Sequence, residues 1–215
     1  NKKILLVTIL LTTIFVGCTN TETEYYDNGK IKSEIKKRGD EFHGISTWWY
    51  DNGSKKMEVT YNHNKIDGYS KRWYFNGKME TEEHFVDDKK SGVCFLWNSN
   101  GQKISEENYV NDTLNGVYKV WSNSGQIKIE GRFKKGLFDG EWIWWNDFGV
   151  KVGEAQFDNG SGKQIGWSIN GNVKREIHYK NNLKDGKEII YLPDGKIDRI
   201  VFYKEGNVVE SAKEL

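Results

Sequence analysis

The chain has 215 residues, 29% of them charged, yet its formal net charge at pH 7 is only +1. That balance exerts no strong pull toward nucleic acid or anionic lipid. Only 36% of residues are hydrophobic, and rings carry much of that share: 9 Trp, 11 Tyr and 10 Phe. This composition excludes a deep Leu/Ile core. With 23 Gly and a single Pro it fits a thin sheet with many turns.

In chain order, residues 1–17 read as a signal peptide. Lys2-Lys3 is a charged start, and Ile4 to Val16 is an apolar run of 13 residues. Such a run is too short to span a bilayer and has the length of a signal core. It ends Phe15-Val16-Gly17-Cys18. This resembles the lipobox of bacterial lipoproteins, with Phe15 where leucine is usual. The expectation is a lipid anchor at Cys18. The chain would then sit in the bacterial cell envelope, tethered to a membrane and facing the periplasm or the cell exterior. Residues 18–24 read as a polar tether. Cys94, the only other cysteine, has no disulfide partner once Cys18 is lipidated, and its mid-strand place predicts a small buried side chain.

From residue 25 the chain repeats. A glycine follows a short polar turn at Gly29, Gly53, Gly77, Gly101, Gly125, Gly149, Gly171 and Gly195, at intervals of 24 residues with a single 22. Four residues earlier stands a ring: Tyr25, Trp49, Trp73, Trp97, Trp121, Trp145, Trp167, Tyr191. Eight residues later stands another: Tyr61, Phe85, Tyr109, Phe133, Phe157, Tyr179, Tyr203, with Lys37 in the first copy. A period of this length means a stack of supersecondary units.

One unit reads as a β-hairpin. Ile45 to Tyr50 is rich in strand formers, Asp51-Asn52-Gly53 is a turn signal, and Lys55 to Tyr61 runs back. Asn62 to Gly68 reads as a longer polar connection with its own glycine, which recurs at Gly92, Gly116, Gly140, Gly162 and Gly186. The short interval would come from a trimmed connection, Asp158 to Gly162. The expected fold is all-β: an elongated tandem β-hairpin array over residues 25–210, a single twisted antiparallel meander of about eight 24-residue repeats and about 16 strands. Residues 211–215 would be a polar tail.

Strand parity divides the faces. The two repeat-defining ring rows are expected to stack along the array and bury one another. Rings of the other parity, Trp48, Tyr50, Tyr74, Tyr118, Trp142 and Trp144, remain as a candidate binding surface. Glutamate recurs five residues after the turn glycine, from Glu34 to Glu176, and Ile200 ends the row. Interleaved lysines such as Lys56, Lys128 and Lys174 would balance it on a solvated face.

No nucleophile–base pair, metal-ligand spacing or phosphate loop occurs. His43, His63, His84 and His178 are scattered. Adjacent carboxylates such as Glu82-Glu83 point to opposite faces of a strand. The expectation is therefore no enzyme, no catalytic or metal residues and no cofactor.

The unit Trp73-Tyr74-Phe75-Asn76-Gly77-Lys78, followed by Glu82, Phe85 and Gly92, resembles the variant MORN (membrane occupation and recognition nexus) repeat. The resemblance covers residues 25–210. It implies tandem hairpins used as a noncatalytic binding or scaffold surface toward a protein partner or a membrane, with no nucleic acid. It also implies an alternative, since bacterial chains of this type include YwqK-like antitoxins. An antitoxin or immunity protein would neutralise a toxin by binding it, and a lipid anchor requires that such a toxin act outside the cytoplasm. Neither the ligand nor the oligomeric state is fixed by the resemblance.

Overall fold

The structure is a computed structural model that describes residues 19–213. The signal segment and Cys18 lie outside the described residues. Every regular element within them is a strand. In order these are β1 (Thr19–Tyr25), β2 (Ile31–Arg38), β3 (Glu41–Phe42), β4 (Gly44–Trp49), β5 (Lys55–Asn62), β6 (Lys65–Trp73), β7 (Met79–Val86), β8 (Lys89–Lys90), β9 (Gly92–Trp97) and β10 (Lys103–Val110). They continue with β11 (Thr113–Trp121), β12 (Ile127–Lys134), β13 (Leu137–Trp145), β14 (Lys151–Asp158), β15 (Ser161–Trp167), β16 (Val173–Lys180), β17 (Leu183–Tyr191), β18 (Ile197–Lys204) and β19 (Asn207–Lys213).

All belong to one sheet, each antiparallel to the next. β3 and β8 are two-residue pieces that precede β4 and β9, so the meander has seventeen rungs, close to the expected number. At about 4.8 Å per rung its contour is roughly 75–80 Å. The sheet overruns the expected bounds at both ends. Thr19–Glu24, within the segment 18–24 read as a tether, pairs with β2 along its length together with Tyr25, and Asn207–Lys213 pairs with β18 into the expected tail. Thr and Glu alternate in Thr19 to Glu24, which is the polar pattern of an exposed edge strand.

Two turn types alternate down the two edges. On one edge Gly53 N–H donates to Tyr50 O at 2.9 Å and Tyr50 N–H to Ser54 O at 2.8 Å. Gly53 has φ 90, a left-handed value that glycine adopts without strain. On the other edge the expected long connection is a two-residue turn. His63 (φ 49) and Asn64 (φ 67) both lie in the left-handed region, as a type I′ hairpin requires. Asn62 then pairs directly with Lys65, so the residues up to Gly68 are already strand. The same turn recurs at Asp87-Asp88, Asn111-Asp112, Lys135-Gly136, Asn159-Gly160, Asn181-Asn182 and Glu205-Gly206.

The second recurring glycine is therefore not a turn residue. Between Val59↔Ser70 and Tyr61↔Ile66 one strand advances two residues and its partner four. The excess is a bulge centred on Gly68, whose φ is 126. The same shift recurs wherever a unit follows its neighbour by 24 residues, for example in β12–β13 and β16–β17. The 22-residue interval is where it disappears: β14 and β15 pair without any shift from Gly153↔Gly166 to Asp158↔Ser161. The two missing residues were removed from the bulge and not from a turn.

The paired registers sort side chains into two faces. Gly44, Ser46 and Trp48 lie across from Tyr61, Val59 and Met57 on one face. Ile45, Thr47 and Trp49 lie across from Thr60, Glu58 and Lys55 on the other. The two ring rows thus fall on opposite faces, each stacking along the array on its own side. All the buried side chains lie on the first face: Val59, Cys94, Trp142, Ala155, Phe157, Ile177 and Val201, with the polar Ser33, Ser46, Ser70, Gln164 and Glu188. The core is therefore one-sided, built from the larger and more apolar side chains of this face.

Candidate binding surfaces

The six rings expected to form one exposed surface do not do so. Trp142 is 3% exposed and forms the centre of a cluster with Ala155 and Phe157, against which Tyr118, Phe133, Phe138 and Trp144 pack. Its ring lies 4.7 Å from Phe138 and 5.1 Å from Phe133, both edge-on. Burial is possible because the residues paired beside these rings are tiny: Tyr118 faces Gly131 and Trp142 faces Ala155. Tyr50 and Tyr74 belong to the turns. Their hydroxyls donate to Trp73 O at 2.9 Å and Trp97 O at 2.8 Å, tying each turn to the next unit, as Tyr26 does to Trp49 O. Trp48 is half-buried on the core face, four units from Trp144. Parity correctly put Trp48, Tyr118, Trp142 and Trp144 opposite the tryptophan row. It did not reveal that the rings from Tyr61 to Tyr203 share their face.

The other face carries the tryptophan row, Trp49 to Trp167, half-buried throughout. Beside it runs the glutamate row, and each internal glutamate holds one lysine. Lys71 reaches Glu82 and Lys119 reaches Glu130, each at 2.8 Å across the ladder. In the alternate units the lysine sits three residues before its glutamate, as in Lys55–Glu58 and Lys103–Glu106, at 2.7 and 3.1 Å, and in Lys151–Glu154. Lys163 serves Glu176 at 2.5 Å. These are not the lysines expected from the sequence: Lys128 instead pairs with Asp147, and Lys56 lies over the Tyr50 ring. Lys55, Lys103 and Lys151 also stand 5.0, 5.3 and 5.6 Å from the next unit's tryptophan ring, a cation–π position. This face is a charge-balanced ladder.

The turn edge gives a different surface, which the sequence reading missed. In the first five units its tips are polar, Phe75 excepted. In the last three they are apolar: Phe148 (89% exposed) and Val150, then Ile169 (78%), then Leu192. Val150 and Ile169 border one depression of about 390 Å³, and Ile169 and Leu192 border the next, of about 630 Å³. The signal was present in Asn146-Asp147-Phe148-Gly149-Val150 and Ser168-Ile169-Asn170, where a turn carries residues that turns do not require.

Three of the four histidines are hydrogen-bonded, while His43 Nδ1 is buried without a hydrogen-bond partner. His63 Nδ1 lies 2.6 Å from Glu41, while His84 and His178 hydrogen-bond through Nδ1 to Ser91 O and Lys187 O. Burial pushes the Cys94 thiol up, which keeps it protonated. Tyr109 is raised by its burial and by Glu107, to which it donates at 2.6 Å. Among the described residues no group of three His, Cys, Asp or Glu could hold a metal. No helix among them is long and apolar enough to cross a membrane.

Fold and surfaces together define a tandem β-hairpin repeat protein with a one-sided core. The profile of the MORN repeat variant matches residues 19–36, 42–63, 66–87, 90–111, 114–135, 161–181 and 184–205, well over half of the chain. The chain belongs to that family. The matches leave out 136–160, although β13 and β14 continue the sheet there without a break. A search of curated proteins found no match.

Proposed function

We propose that this chain is a noncatalytic binding scaffold that docks a protein partner on the turn edge of its last three units. The observation that carries the reading is the run Phe148, Val150, Ile169, Leu192, which folding leaves in solvent. Contiguous exposed apolar side chains on an otherwise charged protein mark an interaction site. Asn172 Nδ2 donates to Pro193 O at 3.2 Å, which ties the last two of these turns together.

A Phe148→Ser, Ile169→Ser double variant tests this. Both side chains are exposed, so circular dichroism and the denaturant midpoint should stay as in the native chain. Capture of partner should fall at least about tenfold, as expected when hot-spot residues are lost. Unchanged capture of the same partner by the double variant overturns the reading.

The finer reading is a lipoprotein: Cys18 carries lipid and holds the array at a membrane in the cell envelope. Its support is the lipobox-like Phe15-Val16-Gly17-Cys18 behind a 13-residue apolar run. Cys18→Ala should abolish membrane fractionation and processing. A mutant that is processed and sediments with membranes like the native chain would remove the anchor from the proposal.

A further inference from the structure

The unit without a bulge contains a second feature, centred on two glycines that take no part in the ladder or the turn edge. Elsewhere on the core face, the layer four residues after each turn glycine carries a side chain on at least one of two paired strands: Met57↔Arg72, Ile129↔Trp144, Arg175↔Ile190. Between β14 and β15 the paired residues are Gly153 and Gly166. The result is a cavity of about 560 Å³ with a floor of bare backbone.

Its walls are chemically unlike. On the β13 side stands Trp144, whose Cε3 would be 3.4 Å from a Cβ at Gly153. Its ring is held in stack with the buried Trp142, with centroids 6.0 Å apart and planes 25° apart. Trp142 is itself pinned by donating Nε1–H to Arg132 O at 3.2 Å. On the β16 side stands Arg175, whose Cγ would be 3.2 Å from a Cβ at Gly166. The wall strands are three rungs apart, about 14 Å between backbones, and both side chains lean inward over the floor.

The charge of the lining is one-sided. Its ionisable members are Lys128, Lys174 and Arg175, and no carboxylate lines it. Asp147 pairs with Lys128 at 2.8 Å, while Glu176 and Glu188 are held by Lys163 and Lys184, which leaves Lys174 and Arg175 as the uncompensated cations. Among the described residues neither Lys174 nor Arg175 has an ion-pair partner. Gln164 also lines the cavity, with its Oε1 accepting from Tyr179 O–H at 3.0 Å and its amide nitrogen left to donate.

We propose that this cavity binds a hexuronate unit of an acidic saccharide, with the pyranose ring on Trp144 and the carboxylate on Arg175. Trp145 and Trp167 line the cavity beside Trp144, and indole faces next to hydrogen-bond donors suit a pyranose, whose C–H face stacks while its hydroxyls bond. An aromatic acid has no hydroxyls and would leave most of those donors unpaired. Lys174, Arg175 and the Gln164 amide are separate donors around one floor and match hydroxyls and one carboxylate, and a neutral sugar leaves Lys174 and Arg175 without a counter-charge. Arg is suited to the carboxylate because its planar fork can bond both oxygens. The site shares Trp167 and Lys174 with the depression between Ile169 and Leu192, but Trp144, Gly153, Gly166 and Arg175 belong to it and not to that depression, so variants at those residues or at the turn tips tell the two surfaces apart.

The test is calorimetric titration of residues 19–215 with trigalacturonate, up to about 10 mM so that a weak single-site affinity is covered. Cellotriose and benzoate are the controls. Saturable binding of trigalacturonate is expected, with benzoate and cellotriose at least about tenfold weaker. Arg175→Gln changes an exposed side chain and should keep the fold while weakening trigalacturonate at least about tenfold. Amide NMR of Gly153 and Gly166 should show the ligand shifts, which locates the site without a core mutation. Absence of saturable binding overturns the proposal, as does equal affinity for cellotriose or benzoate. Unchanged affinity in Arg175→Gln, or shifts confined to other glycines, overturns the placement. The Phe148→Ser, Ile169→Ser variant should bind trigalacturonate as the native chain does, so loss of partner capture alone leaves this site intact.

Discussion

Trp142 shows how one ring comes to be buried in a sheet of a single layer. A Cβ on Gly131 would lie 2.2 Å from the indole, so the ring fills the space that a side chain there would occupy. Trp142→Ala should cost about 3–5 kcal/mol in urea melts, the usual range for a buried large aromatic. Gly131→Val should cost about 1–3 kcal/mol through overpacking. Trp97, half-buried on the charged face, should cost less than Trp142 when cut to alanine; an equal loss at both would show that burial is not one-sided. Glu188 predicts a pH response. Burial pushes its carboxyl up, but Lys184, donating at 2.7 Å, and Tyr203 overcome that and leave it below its ordinary value of 4.5. The unfolded chain therefore takes the proton first. The stability this group contributes is complete above that value and is lost as pH falls through and below it. Glu188→Gln should flatten the acid limb of a stability-versus-pH curve, and an unchanged limb would show the pair is inert.

Between elements, the turns are as much a ladder as the strands. The second residue of each type I′ turn donates its N–H to a carbonyl of the preceding unit, from Asn64 to Phe42 O through Gly206 to Lys184 O. Where that residue is Asn or Asp its side chain accepts a second bond, as Asn64 does from Phe42 N–H and Asp88 from Ile66 N–H. Gly136 and Gly160 have no side chain to do this. Asn182 reaches over them, accepting from Phe138 N–H and donating to Gly136 O, both at 2.8 Å. A Cβ at Gly160 would stand 2.8 Å from Asn182 Oδ1, so glycine there leaves the path open. Asn182→Ala should cost about 1–3 kcal/mol by leaving two partly buried backbone groups unpaired. Gly160→Asn should cost a similar amount by blocking the same reach. If both variants melt like the native chain, the bridge carries no stability.

At the scale of the molecule, strand pairing joins only neighbouring units, and the Asn182 bridge to Gly136 and Phe138 reaches one unit further, so stability should grow nearly unit by unit. Deleting residues 66–89 joins Lys65 to Lys90 in the same repeat phase. The product should fold as a shorter array, with a smaller denaturant slope and a maximum dimension by X-ray scattering about 10 Å less. An unfolded product would show that the array folds only as a whole.

Much of this architecture was legible in the residues. The period located the units, Asn-Gly and its relatives located one edge of turns, and the alternation of side chains located two faces. Each of these follows from local chemistry: positive φ at glycine, and Cβ atoms that alternate along a strand. The glutamate row foretold a balanced face, but spacing did not pick the lysines, because Lys55 and Lys71 reach their partners along a strand and across one respectively. The type I′ turns were missed because His63-Asn64 and Asp87-Asp88 contain no glycine, while the bulge glycines beside them look like turn residues. What only the tertiary structure decided was which face became the core. Parity places Trp142 and Trp49 on opposite sides of a ribbon, but which side is covered depends on rings that several rungs bring together, as Phe133, Phe138 and Phe157 are brought around Trp142. That packing buried Trp142, half-buried Trp48, Tyr118 and Trp144, and left the turn tips and the glycine-floored cavity open to solvent.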